Sequence, residues 1–83
     1  MKILYFAWVR QRIGLGEETV DPPGHVATVA DLIEWLKTRD ENYGNAFADL
    51  RVIRAAVDQS LVPLDATLAG AREVAFFPPV TGG

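Results

Sequence analysis

Apolar positions fall along this chain in short blocks separated by polar breaks. Ile3-Leu4-Tyr5-Phe6-Ala7-Trp8-Val9 is a continuous apolar run closed by Arg10, the pattern of a strand buried on both faces. Arg10 to Gly16 reads as a turn punctuated by Gly14 and Gly16, and Glu17 to Asp21 as a short edge strand paired back on the first. Asp21-Pro22-Pro23-Gly24 breaks regular structure. Thr28-Val29-Ala30-Asp31 then offers a hydroxyl at a helix N-cap and a carboxylate three residues on, a capping box with Asp in the acidic position. Val29, Leu32, Ile33 and Leu36 repeat at helical period, predicting a helix that ends near Arg39 with Lys37 and Arg39 at its negative dipole end.

The second half is choppier. Glu41 to Leu50 admits a short helix or a loop. Val52-Ile53-Arg54-Ala55-Ala56-Val57 predicts a second buried strand, and Gln59 to Pro63 a short one at an edge. Asp65 to Gly70 has the form of one helical turn, capped by Asp65 and stopped by Gly70. Glu73-Val74-Ala75-Phe76-Phe77 is the last strand, ended by Pro78-Pro79, which lack a donor and fix φ. Strand, strand, helix, strand, short strand, turn, strand is the order of a β-grasp. The expected fold class is therefore α+β: a ubiquitin-like mixed sheet with its first and last strands at the centre and one main helix across it. Residues 1–77 form the domain, and 78–83 an extended, flexible Gly-Gly tail.

Composition narrows the chemistry. Eighty-three residues make one domain with a small core, and 49% hydrophobic content is too high for a disordered chain. The absence of cysteine removes disulfides, thiolate catalysis and thiolate metal ligation. A net charge of −3 with scattered Lys and Arg gives no nucleic-acid footprint, and no apolar run reaches membrane-spanning length. The expected location is the cytoplasm. His25 follows Pro-Pro-Gly in a loop and reads as solvated. The pairs Glu17-Glu18 and Asp40-Glu41 also read as solvated charges, because sequence neighbours do not converge on one point, so no metal site is expected. Gly14-Leu15-Gly16 lacks the lysine and further glycine of a phosphate loop, and Ser60 has no triad partners.

What is left is the C-terminal stretch. No charged side chain follows Glu73 through Val80-Thr81-Gly82-Gly83. With the sequence ending at Gly83, its α-carboxylate is the most accessible reactive group, and two glycines let the backbone thread a narrow channel. Alternation puts Val74 and Phe76 on one face of the last strand and Ala75 and Phe77 on the other. It leaves open which face points inward; the expectation is Val74 and Phe76 inward, with Phe77 turned to a partner.

The run Glu73-Val74-Ala75-Phe76-Phe77-Pro78-Pro79-Val80-Thr81-Gly82-Gly83 resembles the C-terminus of the MoaD-type family of molybdopterin synthase small subunits. Lys2-Ile3-Leu4-Tyr5-Phe6-Ala7, with Arg10 and Gly14, is similar to that family's N-terminus, and Ala56-Val57-Asp58-Gln59 to its middle strand, with Asp58 where Asn is expected. Ala69-Gly70-Ala71-Arg72 stands where an acidic glycine turn is common. The resemblance implies a sulfur carrier. Gly83, threaded behind Gly82, would be adenylated at the expense of ATP by an enzyme like the ubiquitin-activating ones. A sulfur donor would displace AMP to leave a thiocarboxylate, which would pass sulfur to cyclic pyranopterin monophosphate on the synthase large subunit. The AMP adduct is transient, and no permanent cofactor is implied. Acid and base groups would belong to the large subunit, docked through Phe77, Pro78, Pro79, Val80 and Thr81. A thiamine-pathway sulfur carrier and a ubiquitin-like protein modifier would use the same carboxylate.

Overall fold

Helix α2 (Val29–Lys37) is the element that the chain's chemistry sets most firmly. In the computed structural model of the chain, which describes residues 1–79, both halves of its capping box form. The Asp31 N–H donates to Thr28 Oγ1 at 3.1 Å, and the Thr28 N–H to Asp31 Oδ2 at 3.2 Å. Val29, Leu32, Ile33 and Leu36 are fully buried, so the predicted apolar stripe is the one that packs.

That stripe lies against a five-stranded mixed sheet in the order β2-β1-β5-β3-β4. Its strands are β1 (Lys2–Tyr5), β2 (Glu17–Thr19), β3 (Arg54–Val57), β4 (Ser60–Val62) and β5 (Glu73–Phe77). β5 is central, parallel to β1 and antiparallel to β3; β2 and β4 form the edges. This is the β-grasp arrangement expected from the element order. Phe76 ties its core together, stacked against Tyr5 at 6.2 Å between centroids and edge-on to Phe47 at 5.1 Å.

Three expectations are corrected. The run Ile3–Val9 is not one strand: β1 stops at Tyr5, and helix α1 (Ala7–Ile13) follows. Val9 and Ile13 bury one side of α1, and Gly14 closes it at φ +94° with its N–H on the Arg10 carbonyl. Of the two readings of Glu41 to Leu50 the short helix forms: α3 (Glu41–Ala46), capped by Asp40, runs through Gly44. Val52 does not belong to β3; it lies in a 3₁₀ turn (Leu50–Val52) that the Asp49 side chain nucleates by accepting the Arg51 N–H. Asp65–Gly70 forms no helical turn. The carbonyls of Leu64, just before it, and of Ala66, within it, are used elsewhere: Val29 N–H donates to Ala66 O and Ala30 N–H to Leu64 O, so they satisfy the first donors of α2. Of the expected tail, Pro78 and Pro79 lie outside any strand, and Val80–Gly83 fall outside the described residues.

Glu18 also departs from expectation. Glu17 is exposed and paired with Lys2, but Glu18 sits on the inner side of β2. Its Oε2 accepts from the Tyr5 hydroxyl at 2.8 Å and the Tyr43 hydroxyl at 2.5 Å, and its Oε1 from Arg39 Nη1 at 2.9 Å. Burial disfavours its charge, but the hydrogen bonds from Tyr43, Tyr5 and Arg39 outweigh it and hold the carboxyl below its ordinary value of 4.5. Burial first, then the bond to Glu18, pushes Tyr43 up to about 12 and Tyr5 higher still. A depressed carboxylate contributes stability that is present above its unfolded value and lost as pH falls. A raised tyrosine contributes stability that is present below its unfolded value of 10.0 and lost as pH rises through the folded one. Thermal stability should therefore be level between about pH 5 and pH 10 and fall on both sides. Glu18→Gln should flatten the acid limb; melting curves with the same acid dependence as the wild type would remove Glu18 from this role.

Candidate functional site

The inner face of the sheet is consumed by the helices; the outer face is not. Val74 and Phe76 point inward and are fully buried, which leaves Phe77 on the outer face, half-buried, at the end of the central strand. Pro78 and Pro79 follow, also half-buried. The base of the tail therefore leaves from the middle of the sheet and not from an edge. Val80, Thr81, Gly82 and Gly83, the remaining site residues expected from the sequence, lie outside the described residues.

Register builds an apolar surface around Phe77. Leu4, Ala75, Ala56 and Leu61 align across four strands on the outer side. Leu61 is 70% exposed. At the tail end, Phe6 is still extended (φ −125°, ψ 157°), so it continues the alternation past buried Tyr5 and is 49% exposed. Its N–H donates to the Phe76 carbonyl at 3.1 Å, which fixes it beside the last turn of β5. The chain then turns into α1 through Ala7 at φ +53°, a left-handed conformation that costs an L-residue roughly 1–2 kcal/mol. Phe6, Leu4 and Leu61 are the residues that the sequence reading missed. Phe6 sat inside an apolar run, and only the pairing register shows that Leu61 shares a face with Phe77. Exposed aromatic and aliphatic side chains clustered this way mark a surface for a protein partner.

His25 is exposed in its loop, as expected. Among the described residues no group of three or more His, Asp or Glu side chains could hold a metal ion, and every buried side-chain polar atom has a hydrogen-bond partner. Asp58, where the family resemblance expects Asn, sits at φ +48° in the β3–β4 turn and accepts the Arg72 and Glu73 N–H groups at 3.0 Å each, at the end of β5 away from the tail. Among the described residues no helix is long and apolar enough to cross a membrane. What the arrangement offers is an apolar platform at the base of the C-terminal segment.

Known proteins match this sequence over its whole length. The profile of the ThiS family matches residues 3–83. The chain is 37% identical to the molybdopterin synthase sulfur carrier subunit of Escherichia coli (strain K12), over 100% of this chain and 99% of that protein. It is 39% identical to the protein of the same name from Mycosarcoma maydis, over 100% of this chain and 92% of that one. Its fold is similar to the crystal structure of small archaeal modifier protein 1 of Haloferax volcanii, with a TM-score of 0.75 and 26% identity over 96% of this chain and 97% of that one.

Proposed function

This chain belongs to the ThiS family, and we propose that it is the sulfur-carrier small subunit of a molybdopterin synthase. The observation that carries the reading is the end-to-end match to relatives of that name, with the family profile running through residue 83. The outward patch around Phe77 supports a large-subunit partner.

The chemistry follows from the poor electrophilicity of a carboxylate. The Gly83 carboxylate attacks the α-phosphorus of ATP on an activating adenylyltransferase, and pyrophosphate leaves. In the resulting mixed anhydride the acyl carbon has AMP as a good leaving group. A hydrosulfide equivalent from a sulfur donor attacks that carbon, AMP departs, and a thiocarboxylate remains. On the large subunit the sulfur passes to cyclic pyranopterin monophosphate and water restores the carboxylate. A dithiolene contains two sulfurs, so each product consumes two loaded carriers. From Pro78 the six tail residues span at most about 20 Å, which reaches a buried site while the domain stays at its mouth. Pro78 and Pro79 stiffen the base and lower the entropy lost on insertion. The same reading places the chain in the cytoplasm with its ATP-dependent enzyme.

Intact mass after incubation with the adenylyltransferase, ATP and a sulfur donor tests this. The expected gain is that of sulfur replacing one oxygen. An unchanged mass, with the chain recovered instead in covalent conjugates to lysines, would replace sulfur carriage with protein modification.

A further inference from the structure

The chain carries eight Lys and Arg residues, and four are held by carboxylates: Lys2 by Glu17, Lys37 by Glu34, Arg39 by Glu18 and Arg51 by Asp49. Among the described residues Arg10, Arg12, Arg54 and Arg72 have no carboxylate partner. Arg12 stacks on the Trp8 ring at 4.7 Å, and Arg72 lies at the start of β5, away from the tail. Arg10 and Arg54 are placed differently. Arg54 is exposed on the outer face in register with Phe77, and its Nη1 donates to the carbonyls of Arg51 (3.1 Å) and Ile53 (3.0 Å). Arg10 is exposed on the other side of β5, its guanidinium laid so close to Gly16 that a Cβ there would sit 3.0 Å from Cζ. Gly16 in turn accepts the Tyr5 N–H at the end of β1. The base of the tail therefore emerges between two arginines that have no carboxylate partner among the described residues, Arg54 held by backbone carbonyls and Arg10 packed beside Gly16.

Resting on the partner reading above, we infer that Arg10 and Arg54 form a cationic rim around the apolar patch and pair with carboxylates on the partner surface that surrounds the tail's entrance. One observation selects protein carboxylates over a phosphate ligand: the surface between the arginines is apolar, carrying Phe6 and Phe77, as a protein interface requires. Guanidinium groups already fixed by backbone carbonyls or packing lose little freedom on pairing, and their fork suits a carboxylate.

Rim charges act on encounter more than on the final contact. Association of the full chain with the large subunit, followed by stopped flow, should therefore slow as salt rises from about 0.05 M to about 0.5 M. Arg54→Glu should slow it about tenfold at low salt and hardly at all at high salt, with Arg54→Lys keeping most of the rate and both variants melting like the wild type. Arg10→Glu combined with Arg54→Glu should slow it further; Arg54→Glu alone, at an exposed strand position, keeps the test independent of any folding loss at Arg10. A wild-type association that is insensitive to salt and to Arg54→Glu overturns the rim and leaves the sulfur-carrier reading standing. No association of wild type with the large subunit overturns both.

Discussion

Deleting Gly83, or adding one residue after it, should abolish sulfur loading and leave the domain as stable as before. The stability half rests on where the core is: its buried side chains run from Ile3 to Phe76, all before the tail. The activity half rests on reach. One residue changes the position of the terminal carbon by up to about 3.5 Å along an extended chain. Reacting atoms must approach within about 3–3.5 Å, and a misplacement of about 1 Å can cost a hundredfold in rate, so a shift of one residue removes the carbon from the reaction altogether. Addition after Gly83 has a second effect, because it converts the carboxylate at that position into an amide with no oxygen free to attack ATP. Gly83→Ala separates reach from bulk: it keeps the carboxylate in place and adds a Cβ, so loading should slow without vanishing if the channel is narrow. Intact mass measures loading, and thermal melting checks the fold. Full loading of the deletion variant would show that the terminus is incidental and would remove the basis for the mechanism.

Much of this fold was legible because single residues announced it. Thr28 and Asp31 fixed the start of α2, the spacing of Val29, Leu32, Ile33 and Leu36 fixed its buried side, and Pro78 fixed the end of β5. The failures have physical causes. Ile3–Val9 is a sum of two patterns, a period-two strand ending at Tyr5 and the first turn of a helix whose inward residues are Val9 and Ile13. A continuous apolar run hides that join, although Gly14 and the basic residues Arg10 and Arg12 were a legible helix end. Asp65–Gly70 had the local form of a helical turn, but the carbonyls of Leu64 and Ala66 instead satisfy the first N–H groups of α2. Glu18 looked like its exposed neighbour Glu17, because only strand register and the approach of α3 bring Tyr5, Tyr43 and Arg39 to it. The candidate site divides in the same way. Alternation set Phe77 opposite Phe76 but left open which of them faced outward, whereas Phe6, Leu61 and Arg54 join the site only through pairings between strands distant in sequence; the expected reactive end, Gly83, lies outside the described residues.

Phe76 and Phe77 give the sharpest test of that division, because adjacent residues of one strand should fail in opposite ways. Phe76 has no exposed surface and contacts both Tyr5 and Phe47. Phe76→Ala removes an aromatic ring from a close-packed core and leaves a cavity, at a cost of about 3–5 kcal/mol. Small domains have about 5–15 kcal/mol in total, so this variant should be marginally folded at best. Phe77 is half-buried on the outer face, outside the core cluster. Phe77→Ala should therefore melt close to the wild type and lose affinity for the large subunit instead. Burying one phenylalanine is worth about 1.5–3 kcal/mol. At about 1.4 kcal/mol per tenfold, that is roughly a ten- to hundredfold weaker complex. Its place at the end of the central strand, between Phe6 and Arg54, puts it where a single aromatic can dominate an interface. Thermal melting and titration calorimetry of the two variants against the large subunit decide the matter. Unchanged affinity for Phe77→Ala would move the docking surface off this face of the sheet, while a Phe76→Ala domain of wild-type stability would mean that the core is not built around β5.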